Sequence, residues 1–342
     1  MTTGKGISAS VIFLLLLCSG LSFNCASPIP VDKVEKDVLT LAAKIPLPNI
    51  RGRIDHLAYD SINHLVFVAA LGNNTVEVVD IHDKKVVHTI TGLHAPQGVV
   101  YIPLLHRLVV ANDDGGTVMF FDVQTYKLLN IIDLKDDADN MRYDEASGLL
   151  YVGYGSGGIA IVNAATMKQT ANIPLDGHPE SFQIDKKRNK LYINVPDADE
   201  VEVAGLLSNS IITKWKDTKA SSNFPMALDE MKGVLYIGCR NPGTLWMKNV
   251  ETGNDIAFVP CSGDADDVFY SDNLVYLSAG KGYIDIFKSS NQNECELINY
   301  IITRNGARTS LLVEKNKELL LAIPARGSSG AELWVYEFNA DK

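Results

Sequence analysis

The chain has 342 residues, 46% of them hydrophobic and 21% charged, with a formal net charge of −10 at pH 7. That is enough apolar material to bury a large core, and it excludes wholesale disorder. The acidic balance and the lack of a dense Lys/Arg block argue against nucleic acid as a partner, because neutralising phosphates needs a basic face.

In chain order, residues 1–26 read as a signal peptide. Lys5 gives a weakly basic start, "VIFLLLLC" (11–18) is an apolar core too short to span a bilayer, and Ala26 offers a small residue for cleavage. The protein is therefore expected to be exported, periplasmic or secreted. A lipid anchor at Cys25 is a second reading of the same segment. Residues 27–37 read as a linker, and no later segment is long and apolar enough for a transmembrane helix. Beyond the leader stand Cys239, Cys261 and Cys295, so at most one disulfide can form, and no pair has the spacing of a structural zinc site.

From residue 50 onward one pattern repeats. Short strands read "LVFVA", "LVVAN", "LLYVG", "KLYIN", "VLYIG", "LVYLS" and "LLLAI", which align Phe67, Val109, Tyr151, Tyr192, Tyr236, Tyr276 and Leu320 at roughly 42-residue intervals. Each copy holds four strand candidates separated by turn signals, as in "HLAYD", "HLVFVAA", "NTVEVVDI" and "KKVVHTI". Four short antiparallel strands at this period predict an all-β, seven-bladed β-propeller. The last copy lacks its fourth strand, while an orphan strand, "VLTLAAKIPL" (38–47), precedes the first. Pairing the two closes the ring, giving a single domain over 38–342 instead of the two that length alone suggests.

The innermost strands open on a polar column: Asp55, Gln97, Asp139, Glu180, Phe224, Asp266 and Arg308. In a propeller these positions surround the central channel at one face. Arg53, His56, Asp137, Asn140, His178, Ser181, Asp264, Asp267 and Thr309 thicken the column, and His94 lies one position further out. The loops between second and third strands are expected to bring Asn73, Asn112, Tyr154, Asp197, Arg240 and Arg326 to the rim. The candidate ligand-binding set is Arg53, Asp55, His56, Gln97, Asp139, Asn140, Glu180, Ser181, Asp266, Asp267 and Arg308. Crowded carboxylates repel, so some must be protonated, paired with arginine or bound to a cation. A divalent cation (Ca, Mg or Zn) on Asp55, His56, Asp139 and Asp266 is one way to answer them. His94 and His178 are the candidate catalytic bases. Against a ligand site stands a purely structural use, in which such residues tie loops to adjacent blades. Asp60, Asp144, Asp185 and Asp229, just downstream, read as turn residues, and "GYGSGG" (153–158) reads as a blade turn and not a phosphate loop.

The segments "LYVGYGSGGIAIVNAAT", "GHPESFQID", "FPMALDE", "GDADDVFY" and "GARTSLLV" resemble the exported seven-bladed YncE-like, or YVTN-repeat, proteins over residues 38–338. The resemblance implies the fold and export; a nucleic-acid-binding role suggested for some members is opposed here by the acidic charge. Two functions follow. The first is a monomeric binding or scaffold protein whose polar funnel holds a small molecule, sugar or peptide, and whose rims can meet a protein partner. The second is a metal-assisted lyase or lactonase at the same funnel, similar in architecture to virginiamycin B lyase and the gluconolactonase propellers.

Overall fold

The structure, a computed structural model, describes residues 1–2, 38–216, 219–291 and 294–339. The expectations for the leader, the linker and Cys25 fall outside the described residues. The strands form seven four-stranded antiparallel sheets. Blades one to six run in chain order over residues 57–90, 96–133, 138–174, 182–216, 221–260 and 265–302. The seventh is composite. Ser310–Val313, Glu318–Ile323 and Ala331–Phe338 are its inner three strands, and Leu39–Leu47 is its outermost, paired antiparallel with Ala331–Phe338 from Leu39↔Phe338 to Leu47↔Ala331.

Strands form here because β-branched and aromatic residues dominate each run and turn residues interrupt them on schedule. Asp60 accepts the N–H groups of Ile62 and Asn63, Asp144 that of Ala146, Asp185 that of Arg188 and Asp229 that of Lys232. These aspartates are turn residues, each satisfying backbone that the first hairpin of its blade would otherwise leave open. The only helical elements among the described residues are 3-10 turns.

Each blade is apolar on both faces, and seven apolar clusters fill the spaces between neighbours. Phe67, Tyr192, Tyr236 and Tyr276, from the aligned second strands, are fully buried or nearly so. Burial of their hydroxyls is answered locally: Tyr192 donates to Asp185 at 3.1 Å, and Tyr236 shares a 2.7 Å bond with Ser289. The cluster between the seventh and first blades draws Ile45 and Leu47 from the N-terminal strand against Val66, Val68, Leu320 and Leu333. The ring is thus continuous in its core as well as in its hydrogen bonds. Cys239 and Cys261 are buried and Cys295 half-buried, and no disulfide forms among the described residues.

The N-terminal strand supplies buried area that nothing else in the chain replaces. Ile45→Ala, at a fully buried position, is expected to cost about 2–5 kcal/mol, read as a lower midpoint in chemical denaturation; a change under about 1 kcal/mol would mean the strand does not seal the ring in solution.

Candidate functional site

The polar column lies on a structural irregularity that the first six blades repeat. Pairing between the first and second strands slips by one residue at the channel end, between Pro96 and Val99, Ala138 and Met141, Asn223 and Met226, and Ala265 and Asp267. In the first blade Asp55 donates its N–H to Ala69 at 2.8 Å, and Ala69 donates back to His56 at 3.1 Å. In the fourth, Glu180 and Ser181 share Asn194 in the same way, and in the seventh Ala322 donates to Thr309. In the first six blades this is a β-bulge, two residues facing one, and a bulge re-aims the side chains it carries. The residues opposite are Ala69, Ala111, Gly153, Asn194, Gly238, Ser278 and Ala322, nearly all small. Close approach explains this: a Cβ on Gly238 would lie 2.6 Å from Pro225, and one on Gly98, itself inside a bulge, 2.1 Å from the Asp139 carbonyl oxygen of the next blade.

The bulges bring the predicted residues together around two carboxylates. Asp139 is the first centre. His56 Nε2 lies 3.6 Å from its Oδ1 and His178 Nε2 3.9 Å from its Oδ2, although these histidines are far apart in the chain. His56 also lies 3.9 Å from Asp55 and 3.1 Å from Asn140 Nδ2, and His178 Nδ1 meets the Gly155 carbonyl at 2.6 Å. Gln97 reaches across to Asp137 at 3.0 Å. Asp266 is the second centre. Arg308 Nε holds its Oδ2 at 3.0 Å, and Arg240 Nη2 contacts its Oδ1 while the guanidinium lies over the Phe224 ring. Arg308 also reaches Asp264 at 2.7 Å. Arg53 pairs with its neighbour Asp55 at 2.7 Å, its side chain still 48% exposed.

Some predicted residues stand apart. His94 is exposed on the rim, tied through its backbone N–H to Asn112 Oδ1. Of the rim set, only Arg240 joins the centre; Asn73 and Asn112 cap local backbone, Tyr154 bonds Asn172, Asp197 is exposed, and Arg326 pairs with the Ser329 backbone. Sequence reasoning missed Arg142. It sits on the first strand of the third blade, where other blades place Ala58, Val100, Gln183, Ala227, Phe269 and Leu311, and it bonds Asn140 Oδ1 at 2.7 Å and Ser181 Oγ at 3.2 Å. A cation in a mostly apolar column was the available signal.

Protonation at the mouth is sharply divided. Burial, with the charge of Asp139 added, pushes Glu180 up to about 8. Burial likewise raises Asp267 to about 7 and Asp55 to about 6. Asp139 goes the other way: burial would raise it, but contact with His178 and His56 outweighs that and holds it well below the usual carboxylate range. Burial would lower both histidines, and the neighbouring carboxylates overcome it, raising each to about 9. At neutral pH the mouth therefore holds imidazolium groups against ionised Asp55 and Asp139, with Glu180 uncharged. Among the described residues, the groups presenting three ligand atoms within 4.8 Å of one another lie elsewhere, at Asp80–His82–Asp83 and Asp176–Glu200–Glu202. In the second of these Lys214 Nζ already stands 3.1 Å from Glu202 and 3.6 Å from Glu200.

Both kinds of shift make stability fall as pH rises. A carboxyl raised to about 8 favours the folded state while protonated and loses that contribution between its ordinary value and pH 8; histidines raised to about 9 lose theirs between about 6.5 and 9. The melting temperature is expected to fall from pH 6 to pH 9, and Glu180→Gln to reduce that fall; a flat wild-type profile would contradict the burial of these groups. Gly98→Ala forces a methyl against the Asp139 carbonyl and should cost about 1–3 kcal/mol, measured by denaturant titration; an unchanged stability would mean the third blade does not approach this closely.

No family model matches this chain, and no curated protein matches it. Many solved structures are similar to it, two of which follow. One is described as Kuenenia stuttgartiensis hydrazine synthase, with a TM-score of 0.72 and 13% identity, covering 82% of this chain and 98% of that one. The other is a chain of a mitotic checkpoint complex, with a TM-score of 0.73 and 15% identity, covering 92% of this chain and 97% of that one. At these identities the likeness is one of fold, the seven-bladed β-propeller.

Proposed function

We propose that this chain is an exported binding protein of the YncE-like kind whose polar mouth takes a small, hydroxyl-rich ligand bearing an acid group, such as an acidic sugar or a peptide carboxylate. The observation that carries this reading is the gathering of Arg53, Arg240 and Arg308 at one mouth where burial holds Glu180 uncharged at neutral pH. Guanidinium groups at a partly dried rim favour a carboxylate, which they grip in a two-pronged geometry. Uncharged Glu180 and the amides of Gln97 and Asn140 suit hydroxyl groups. The same cations disfavour a divalent metal at the centre, since the carboxylates it would need are already engaged. The fold is compatible with either role: one similar structure belongs to a named enzyme and the other to a protein assembly.

A second reading, a lyase or lactonase at this mouth, draws on one observation. Glu180 stays protonated near neutrality while Asp139 stays ionised, and carboxyl groups driven apart in this way can serve as acid and base. His178, in contact with Asp139, replaces His94 as the histidine within reach.

Titration calorimetry with a uronate and its neutral parent sugar tests the binding reading. The uronate is expected to bind more tightly, and Arg308→Gln to weaken it by roughly 10-fold or more, as loss of a charge-assisted hydrogen bond implies. Equal affinity for acid and neutral sugar would defeat the reading. Turnover of a lactone or uronate panel, together with a stoichiometric cation lost in Asp266→Ala, would favour the metal-assisted enzyme instead.

A further inference from the structure

Behind the mouth the central channel widens into a cavity of ≈ 400 Å³, within the size range of small-molecule sites. His56, Arg142, Ser181 and Asp267 form its polar end, and Val99, Met141, Met226, Val268 and Leu311 supply apolar wall. A second cavity of ≈ 490 Å³ shares Tyr59, Gln183, Val268, Phe269 and Leu311 with it and extends to Ser61 and Lys315. The two form one passage, polar at the inner end and apolar along its walls.

Arg142 is the anomaly in this passage. Arg53, Arg240 and Arg308 each touch a carboxylate. No Asp or Glu oxygen among the described residues lies within 4.0 Å of Arg142. Its bonds go to neutral acceptors: Asn140 Oδ1, the Met141 carbonyl and Ser181 Oγ. These use both N–H groups of Nη1 and one of Nη2, which leaves an N–H on Nη2 and the Nε N–H without an acceptor among the described residues. Burial also holds its pKa below the ordinary guanidinium value. Asp267, whose charge acts more strongly on it than that of Asp139, is itself engaged by the Ser310 N–H at 2.7 Å. A half-buried guanidinium without a counter-ion is costly, and an anion beside it would offset that cost.

We infer that this passage is a second binding site, distinct from the mouth, for a small monocarboxylic acid with an apolar body, its carboxylate held by Arg142 and Ser181 and its hydrocarbon part lying along Val99, Met226, Val268 and Leu311. The acid's two oxygens match the spare N–H groups of Arg142, and the walls bury aliphatic or aromatic carbon. The site does not depend on what the mouth binds, because its cation is none of the rim arginines.

Calorimetry with octanoate and 3-phenylpropionate, set against octanamide and 1-octanol, tests the inference on the unmodified protein. The acids are expected to bind at least 10-fold more tightly than the amide or alcohol. Arg142→Met should remove that preference, Arg142→Lys should keep part of it, and Arg308→Gln should leave it within about 2-fold. Val100→Phe, which fills the cavity from its wall, should block binding with Arg142 intact. Equal binding of acid and amide by the wild type, or an acid preference that survives Arg142→Met, overturns the inference. If Arg142→Met does not fold, the acid–amide comparison and Val100→Phe decide it.

Discussion

The polar centre depends on one extra residue in the inner strands of six blades. An inner strand in unbroken register would send its side chains alternately into the two adjoining apolar layers. The bulge at its channel end interrupts that alternation, so Asp55, Asp139, Glu180, Asp266 and Arg308 meet at the axis and not inside the clusters that hold the blades together. Small residues opposite most of the bulges make the approach of the next blade possible, as the space around Gly153 and Gly238 records. The polar centre and the apolar interfaces are thus consequences of the same local slip in pairing.

Concentrating acids at an axis raises an electrostatic demand, and the ring meets it unevenly. Asp266 is met by guanidinium groups from the neighbouring fifth and seventh blades. Asp139 is met by imidazoles from the first and fourth. Glu180 has no cation in contact and remains protonated to a higher pH. One mouth therefore offers fixed anions, fixed cations and a neutral acid side by side, a variety that symmetric repeats would not supply.

Much of this was legible in the sequence because repetition supplies its own alignment. The aligned Phe67, Tyr151, Tyr192, Tyr236 and Tyr276 fixed the blade register, and counting back from them located the polar column. The turn aspartates were legible for the same reason. What could not be read was which members touch. Asp139 meets His56 and His178 only because the chain curves into a ring, and contacts across an axis leave no trace in local spacing. His94, read one position beyond the column, is exposed on the rim. Arg142 escaped notice because it lies within a strand, where attention to strand openings does not reach.

The pairing of Leu39–Leu47 with Ala331–Phe338 has a consequence for the order of biosynthesis. Thr40 and Asn339, bonded at 2.8 Å, are separated by 299 positions. A nascent chain presents Leu39–Leu47 well before Ala331–Phe338, so the earlier strand waits as an open edge while six sheets form behind it. Loop-closure entropy of that size weighs on the rate of the final step more than on the stability it yields. The two strands thus act as a latch that engages only once Ala331–Phe338 has been made, and a chain stopped short of it would carry an unsealed flank.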